Sequence, residues 1–294
     1  MIQKGLALLL AFCALMPVEV SAQPPCLRDA LKREVCLAAP ARRIVSLSPG
    51  ATELLFSAGA GGSVVAVSAW SDFPAEAVAL PQVGDSNRLD LEAIMSLAPD
   101  LVVAWVDGNS RSQLERVADL GIPVFWLAPR TFEDIASAVG NLALLTGQPG
   151  KGKARAEVFL QGIASLESRY ASAQPVRVFE RIWDQPLMTV NREGLISKAI
   201  DLCGGVNVFG DLPRLVPQIS REAVLAANPD VIVTAGQAGS KQWLEDWQRF
   251  HGLTAVSAGN LFLEPPDLLA RPTLRMVEGA RHLCQTLEQA RANL

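Results

Sequence analysis

Short apolar runs alternate with amphipathic stretches along most of this chain. From Arg43, "RIVSLSP" reads as a buried strand, "ATELLFSAG" as a short helix stopped at Gly59, and "SVVAVSA" as a second strand. "LDLEAIMSLA" then predicts a helix, "DLVVAW" a strand, "SRSQLERVADLG" a helix ending at Gly121, and "PVFWLAP" a strand. "TFEDIASAVGNLALLTG" follows as a helix with Thr131 as its candidate N-cap. After Gly150, "KGKARAEVFLQGIASLESRYASA" has no strong turn before Pro175 and predicts one long helix, with Gly162 as its weak interior point. The alternation then resumes through "VRVFERI", "LISKAIDLCGG", "REAVLAA", "DVIVTA", "SKQWLEDWQRF" and "NLFLE", with a last helix from about Pro272. Strands separated by helices predict βαβ units. The expected class is α/β: a lobe over 23–148, a bridging helix over 149–173 and a lobe over 174–294, each lobe on a central, mainly parallel sheet.

One phrase occurs in both halves. "LEAIMSLAPDLVVAW" begins at Leu91, and "REAVLAANPDVIVTA" begins at Arg221. In each copy a cap residue, Asp90 or Ser220, is followed two places on by a glutamate, Glu92 or Glu222, then an apolar helix, Pro-Asp and a strand. Two similar lobes with related elements in equivalent places account for the recurrence. Taken alone, each glutamate is explained by the favourable field at a helix N-terminus.

The first 22 residues fit a secretory signal. Lys4 precedes the apolar run Leu6 to Met16, too short to span a bilayer, and Val20-Ser21-Ala22 gives a small-residue cleavage site. Cys13 would leave with that segment. Four cysteines remain, Cys26, Cys36, Cys203 and Cys284, an even set suited to disulfides in an oxidising compartment. Proximity favours Cys26 with Cys36 and leaves Cys203 with Cys284, although four cysteines allow three pairings. A zinc site competes, but no C-x-x-C and no close histidine pair supports it. The net charge of −4, with no basic patch, argues against a nucleic-acid partner.

Enzyme signatures are missing. There is no G-x-S-x-G, no Walker loop and no H-E-x-x-H, and "GAGGS" follows a helix rather than opening one. His251 and His282 stand apart, and His282 reads as structural. The indoles point further. Trp70 in "SAWSDFP", Trp105 in "AWVDGN" and Trp183 in "RIWDQP" sit where predicted strands end, the place where open α/β sheets put ligands. Together they would suit a large, partly flat ligand in a cleft, with core packing as the competing reading for each. Trp126, Trp243 and Trp247 read as packing.

Five stretches, "RIVSLSPGATELLFSAGAG", "VSAWSDFPAE", "LPQVGDSNRLDLEAIMSLAPDLVVAW", "LCGGVNVFGDLP" and "VPQISREAVLAANPDVIV", resemble the cobalamin receptors of ABC importers. These belong to the helical-backbone metal-chelate receptors. The resemblance runs from Arg43 to the C-terminal helix. It implies two lobes held nearly rigid by the long helix, with a corrinoid carried between them as cargo rather than cofactor, no metal ligand from the protein, and a monomer working in the periplasm. It places Trp70 and Trp105 against the macrocycle and puts Asp267, Leu268, Leu269, Ala270 and Arg271 in a ligand-contacting loop. It matches Cys203 and Cys284 to a disulfide. It also matches Glu92 and Glu222 to carboxylates that dock on arginines of the two transporter permease subunits. Ser86 and Val216 stand where close relatives carry tryptophans, and Leu268 and Leu269 replace aromatics. The segment with Cys26 and Cys36 lies outside the resemblance.

Two other classes stay in view. A haem receptor would ordinarily offer a Tyr or His ligand. The one tyrosine, Tyr170, falls on the long helix, and neither histidine falls in a cleft loop. A receptor for anionic ferric siderophores would want clustered arginines, for which only Arg271, Arg214 and Arg88 are candidates. For an enzyme or a chaperone-like module on this scaffold, no residue speaks.

Overall fold

The computed structural model describes residues 25–236 and 240–294, so the expected signal segment lies outside the described residues. The first lobe opens with an antiparallel hairpin, β1 (Cys26–Arg28) and β2 (Glu34–Cys36), whose register places Cys26 opposite Cys36. Then come β3 (Ile44–Ser46), α1 (Pro49–Ser57), β4 (Val64–Val67), α2 (Leu91–Ser96), β5 (Leu101–Trp105), α3 (Arg111–Asp119), β6 (Val124–Leu127) and α4 (Phe132–Leu145). The long helix α5 (Pro149–Tyr170) follows. The second lobe holds β7 (Val176–Arg181), α6 (Leu195–Leu202), β8 (Gly205–Asn207), α7 (Arg221–Ala227), β9 (Val231–Ala235), α8 (Ser240–Gln248), α9 (Thr254–Ser257), β10 (Leu261–Glu264) and α10 (Met276–Ala292).

The two main sheets are wholly parallel, in the orders β4-β3-β5-β6 and β10-β9-β7-β8. Numbered within its own sheet, each runs second, first, third, fourth. The repeated phrase therefore fills one place twice, as α2 entering β5 and α7 entering β9. Its Pro-Asp has a mechanical role. Asp100 accepts the N–H groups of Arg42 and Arg43 at 2.7 and 2.9 Å, and Asp230 accepts that of Arg177 at 2.8 Å. Arg43 and Arg177 then donate to Leu97 O and Ala227 O, each at 2.6 Å, satisfying carbonyls where the preceding helix ends. The motif thus ties each helix to the central strand of its sheet.

Strand alternation sorts the core. In the first sheet Ile44, Leu101, Val103 and Phe125 face α1 and α4, whereas Val45, Val102, Ala104 and Trp126 join the opposite cluster, with Ile94 of α2 and Leu114 and Val117 of α3. In the second sheet Val176, Val178, Val231 and Val233 turn inward to α10, while Phe179 and Ile232 pack with Leu244 and Trp247 of α8. One apolar core runs unbroken from Leu54 and Leu142 through Phe159, Ile163 and Leu166 of α5 to Ala199, Leu283 and Leu287. One face of the bridging helix is therefore buried along its length, and the other faces solvent.

Gly162 proves to be a contact point. A Cβ there would lie 2.7 Å from Val277 Cγ2, so the glycine lets α10 approach α5. Both expected disulfides form, Cys26–Cys36 closing the hairpin and Cys203–Cys284 joining the end of α6 to α10. The last helix begins at Met276 rather than near Pro272, because Thr273 and Arg275 are engaged across the cleft.

Candidate functional site

Two adjoining depressions separate the lobes. Trp70, Trp105, Ser86, Gly50, Ala270 and Arg271 are among the residues lining the first, and Arg130, Val190, Leu195, Val216 and Leu269 among those lining the second. Ala270 and Pro272 belong to both, so the two form one cleft. Trp70 is held with its backbone at φ +66 and its side chain almost fully exposed. A bulky residue rarely occupies that left-handed region, so the surrounding structure must enforce it. Beside it, buried hydroxyls at the ends of β3 and β4 and on α1 tie down the loop that carries it. Ser46 Oγ lies 2.8 Å from Thr52 Oγ1, Thr52 Oγ1 donates to Ser71 Oγ at 3.1 Å, and Ser71 Oγ lies 3.4 Å from Ser68 Oγ.

Trp105 ends β5. Its N–H donates to Asn109 Oδ1 at 2.7 Å, and Asn109 Nδ2 donates to Leu47 O at 2.9 Å, which staples the strand end to the end of β3. The indole packs over Gly50 in α1, where a Cβ would lie 3.2 Å from the ring. Ser86 lines the same wall.

A single buried carboxylate organises the floor. Glu53 of α1 is 2% exposed and accepts from three groups of the second lobe: Arg271 Nη1 at 3.0 Å, Thr273 Oγ1 at 2.8 Å and Arg275 Nη1 at 3.2 Å. Arg271 also meets Asp72 Oδ1 at 2.6 Å and Asp267 Oδ1 at 3.4 Å, and Arg275 lies over the Phe73 ring at 4.0 Å. The Arg271 hydrogen bond is the main reason the Asp72 carboxyl sits below its ordinary range. Burial works against the charge on Arg271, but its bonds to Asp72 and Glu53 prevail and raise its pKa.

Leu269 is buried in the second wall, and Ala270 is exposed at the junction. Asp267 and Leu268 sit half-buried at the start of the same loop, outside the lining. Trp183 also falls outside the lining; it is half exposed, with its indole N–H donating to Gln185 O at 3.1 Å. The loop carrying it is pinned by Arg181, fully buried, which donates to Asp184 Oδ1 at 3.2 Å and lies 4.3 Å from the Trp243 ring. Trp126 and Trp247 are buried packing residues, as expected.

Glu92 and Glu222 are exposed at the second positions of α2 and α7. Asp90 caps the Ala93 N–H at 2.9 Å, and Ser220 caps that of Ala223 at 3.2 Å. The Glu222 carboxyl is held below its usual value, first by its own backbone N–H and then by the Ser220 hydroxyl. His282 Nδ1 lies 2.6 Å from Glu264 Oε2, and Tyr170 donates to Glu288 Oε2 at 3.1 Å; neither lines the cleft. No His, Tyr, Cys or Met is among the lining residues, and no described group of three His, Cys, Asp or Glu side chains is placed to hold a metal.

Of the residues nominated from the sequence, Trp70, Trp105, Leu269, Ala270 and Arg271 line the cleft, whereas Trp183, Asp267 and Leu268 do not; Glu53 and the hydroxyl network were missed. Their signal was a polar pair, Thr52-Glu53, inside the apolar run of α1.

A fold of two lobes, each on a parallel sheet, joined by one long helix with a cleft between them, defines the class. Residues 44–268 match the family described as periplasmic binding protein, and this chain belongs to that family. The vitamin B12-binding protein of Yersinia pestis is 38% identical over 84% of this chain and 86% of its own length. The solved periplasmic vitamin B12 binding protein BtuF of Vibrio cholerae superposes with a TM-score of 0.79 at 35% identity, over 86% of this chain and 98% of that one. The periplasmic heme-binding protein RhuT of Roseiflexus sp. RS-1 shares the fold, with a TM-score of 0.75 at 23% identity over 85% and 98% of the two chains.

Proposed function

We propose that this protein captures cobalamin or a related corrinoid between its lobes and hands it to a membrane ABC transporter, as a carrier rather than an enzyme. The observation that carries the reading is the indole pair. Trp70 and Trp105 line one wall on strand-end loops that hydroxyl and amide bonds hold in place, a rigid apolar surface for a flat macrocycle. The contact set is Trp70, Trp105, Leu269, Ala270 and Arg271, with Trp183, Asp267 and Leu268 in the loops at its rim. Similarity to vitamin B12-binding proteins supports the choice of ligand. The lining offers no side chain that would ligate haem iron, which disfavours that alternative. Export through a cleaved signal over 1–22, a monomeric state and a transporter built on a permease dimer complete the reading.

Titrating the purified protein with cyanocobalamin, haemin and a ferric catecholate, followed by absorbance, tests the ligand class. Saturable one-to-one binding of cyanocobalamin is expected. Saturation by either of the others without cyanocobalamin binding would overturn the assignment.

The docking surface follows from the repeat. Glu92 and Glu222 occupy equivalent places in two like lobes, so two like permease subunits would each meet one carboxylate. Both are exposed and set by helix caps rather than by long flexible loops. The variant Glu92→Lys with Glu222→Lys should bind corrinoid normally and lose association with the transporter. Uptake equal to the parent's would reduce both residues to helix-end charges.

A further inference from the structure

The cleft lining carries two charged side chains, Arg130 and Arg271, and each is already paired. Arg130 bonds Asp107. Arg271 faces Glu53, Asp72 and Asp267, and Arg275 shares Glu53 with it. Three carboxylates against two guanidinium groups leave the floor with one net negative charge. The partners differ in how far they can yield. The Glu53 side chain is 2% exposed and holds two more donors, so it stays. The Asp72 side chain is 59% exposed, on the loop that presents Trp70, and it takes both terminal nitrogens of Arg271, at 2.6 and 3.4 Å.

We propose that Asp72 is a specificity-determining residue: by occupying the outer donors of Arg271 it makes the cleft accept a neutral or cationic flat chelate and reject one that brings free carboxylates. This rests on the corrinoid reading and adds the charge class of the ligand. A ligand carboxylate that reached Arg271 would have to displace Asp72, exchanging one anion for another and leaving Asp72 unpaired beside it. An amide carbonyl brings no charge and can share the guanidinium edge, as neutral acceptors do. Asp267 meets Arg271 from the same loop at 3.4 Å, whereas the short contact of 2.6 Å is to Asp72.

The test uses the full mature chain with Asp72→Asn, repeated with Asp72→Ser, and with Asp119→Asn on α3 as a control for net charge. Cyanocobalamin, neutral overall, and haemin, with two free propionates, are titrated against each by visible absorbance. Haemin affinity should rise about tenfold or more in both Asp72 variants, the size of one charged hydrogen bond made available, and stay unchanged in Asp119→Asn. Cyanocobalamin affinity should stay within about threefold of the parent, because a neutral ligand gains no charged bond. Haemin binding unchanged in both Asp72 variants, or raised equally by Asp119→Asn, overturns the proposal. Failure of the parent to bind cyanocobalamin defeats the corrinoid reading instead, and the role of Asp72 is still decided by haemin.

Discussion

Among the described residues, two joints between the lobes are chemical opposites. Along α5 the contact is apolar: Phe159, Ile163 and Leu166 are buried in a core common to both lobes, and Val277 of α10 presses against Gly162. At the cleft floor the contact is polar, with Glu53 gathering Arg271, Thr273 and Arg275 while Asp72 takes the exposed side of Arg271. Close-packed apolar contacts have no alternative partners, so they fix the angle between the lobes. A hydrogen-bonded charge can yield a partner where that partner reaches solvent, as Asp72 does and buried Glu53 does not, so this joint suits the surface that meets a ligand. The protein places the rigid joint in its core and the exchangeable one in its cleft.

Breaking the apolar joint should have the largest effect. Phe159 is 2% exposed and packs edge-on against Phe132, with ring centroids 6.3 Å apart. Phe159→Ala should cost about 3–5 kcal/mol in urea denaturation, with both lobes still unfolding in one transition. Two separated transitions would show that α5 does not couple them.

Breaking the polar joint should cost less stability and more function. Glu53→Ala leaves three donors without their acceptor, and about 1–3 kcal/mol of stability should go with it. Affinity for cyanocobalamin should fall as the Arg271 loop loses its anchor. A variant with parental stability and affinity would reduce the floor cluster to an incidental contact.

Acid sharpens the contrast at the smallest scale. The folded Asp72 has a depressed pKa, so its pairing contributes stability above the ordinary value of 3.8 and loses it as pH falls through the folded value. The side chain is largely exposed, which limits the contribution to under about 1 kcal/mol. The gap in urea midpoint between the parent and Asp72→Asn should be present at pH 7 and close in acid, once Asp72 is protonated in the folded protein as well. A gap that persists in acid would assign the difference to something other than this ion pair.

The two joints were unequally legible in the sequence. The long amphipathic stretch announced α5, and the alternation around it announced both sheets, because period and length are local properties. Strand β8 escaped notice because it is three residues long and holds one strong strand former, Val206. The hairpin closed by Cys26 and Cys36 was visible only as a cysteine spacing. The cleft floor was hidden for a different reason. Glu53 meets Arg271 across 218 residues of chain, and nothing local to "ATELLF" says which distant cations will find it. Trp70 and Trp105 could be nominated from their places at strand ends, but the hydroxyls that tie down the Trp70 loop emerge only when β3, β4 and α1 are brought together.

The central claim is that a corrinoid lies against the indole wall. Calorimetric titration of cyanocobalamin into the parent and into Trp105→Ala tests it most directly. One-to-one binding is expected in the parent, with a loss of about 1–3 kcal/mol, roughly tenfold to a hundredfold in affinity, in a folded variant. Equal affinity in the two proteins would place the ligand elsewhere and contradict the account.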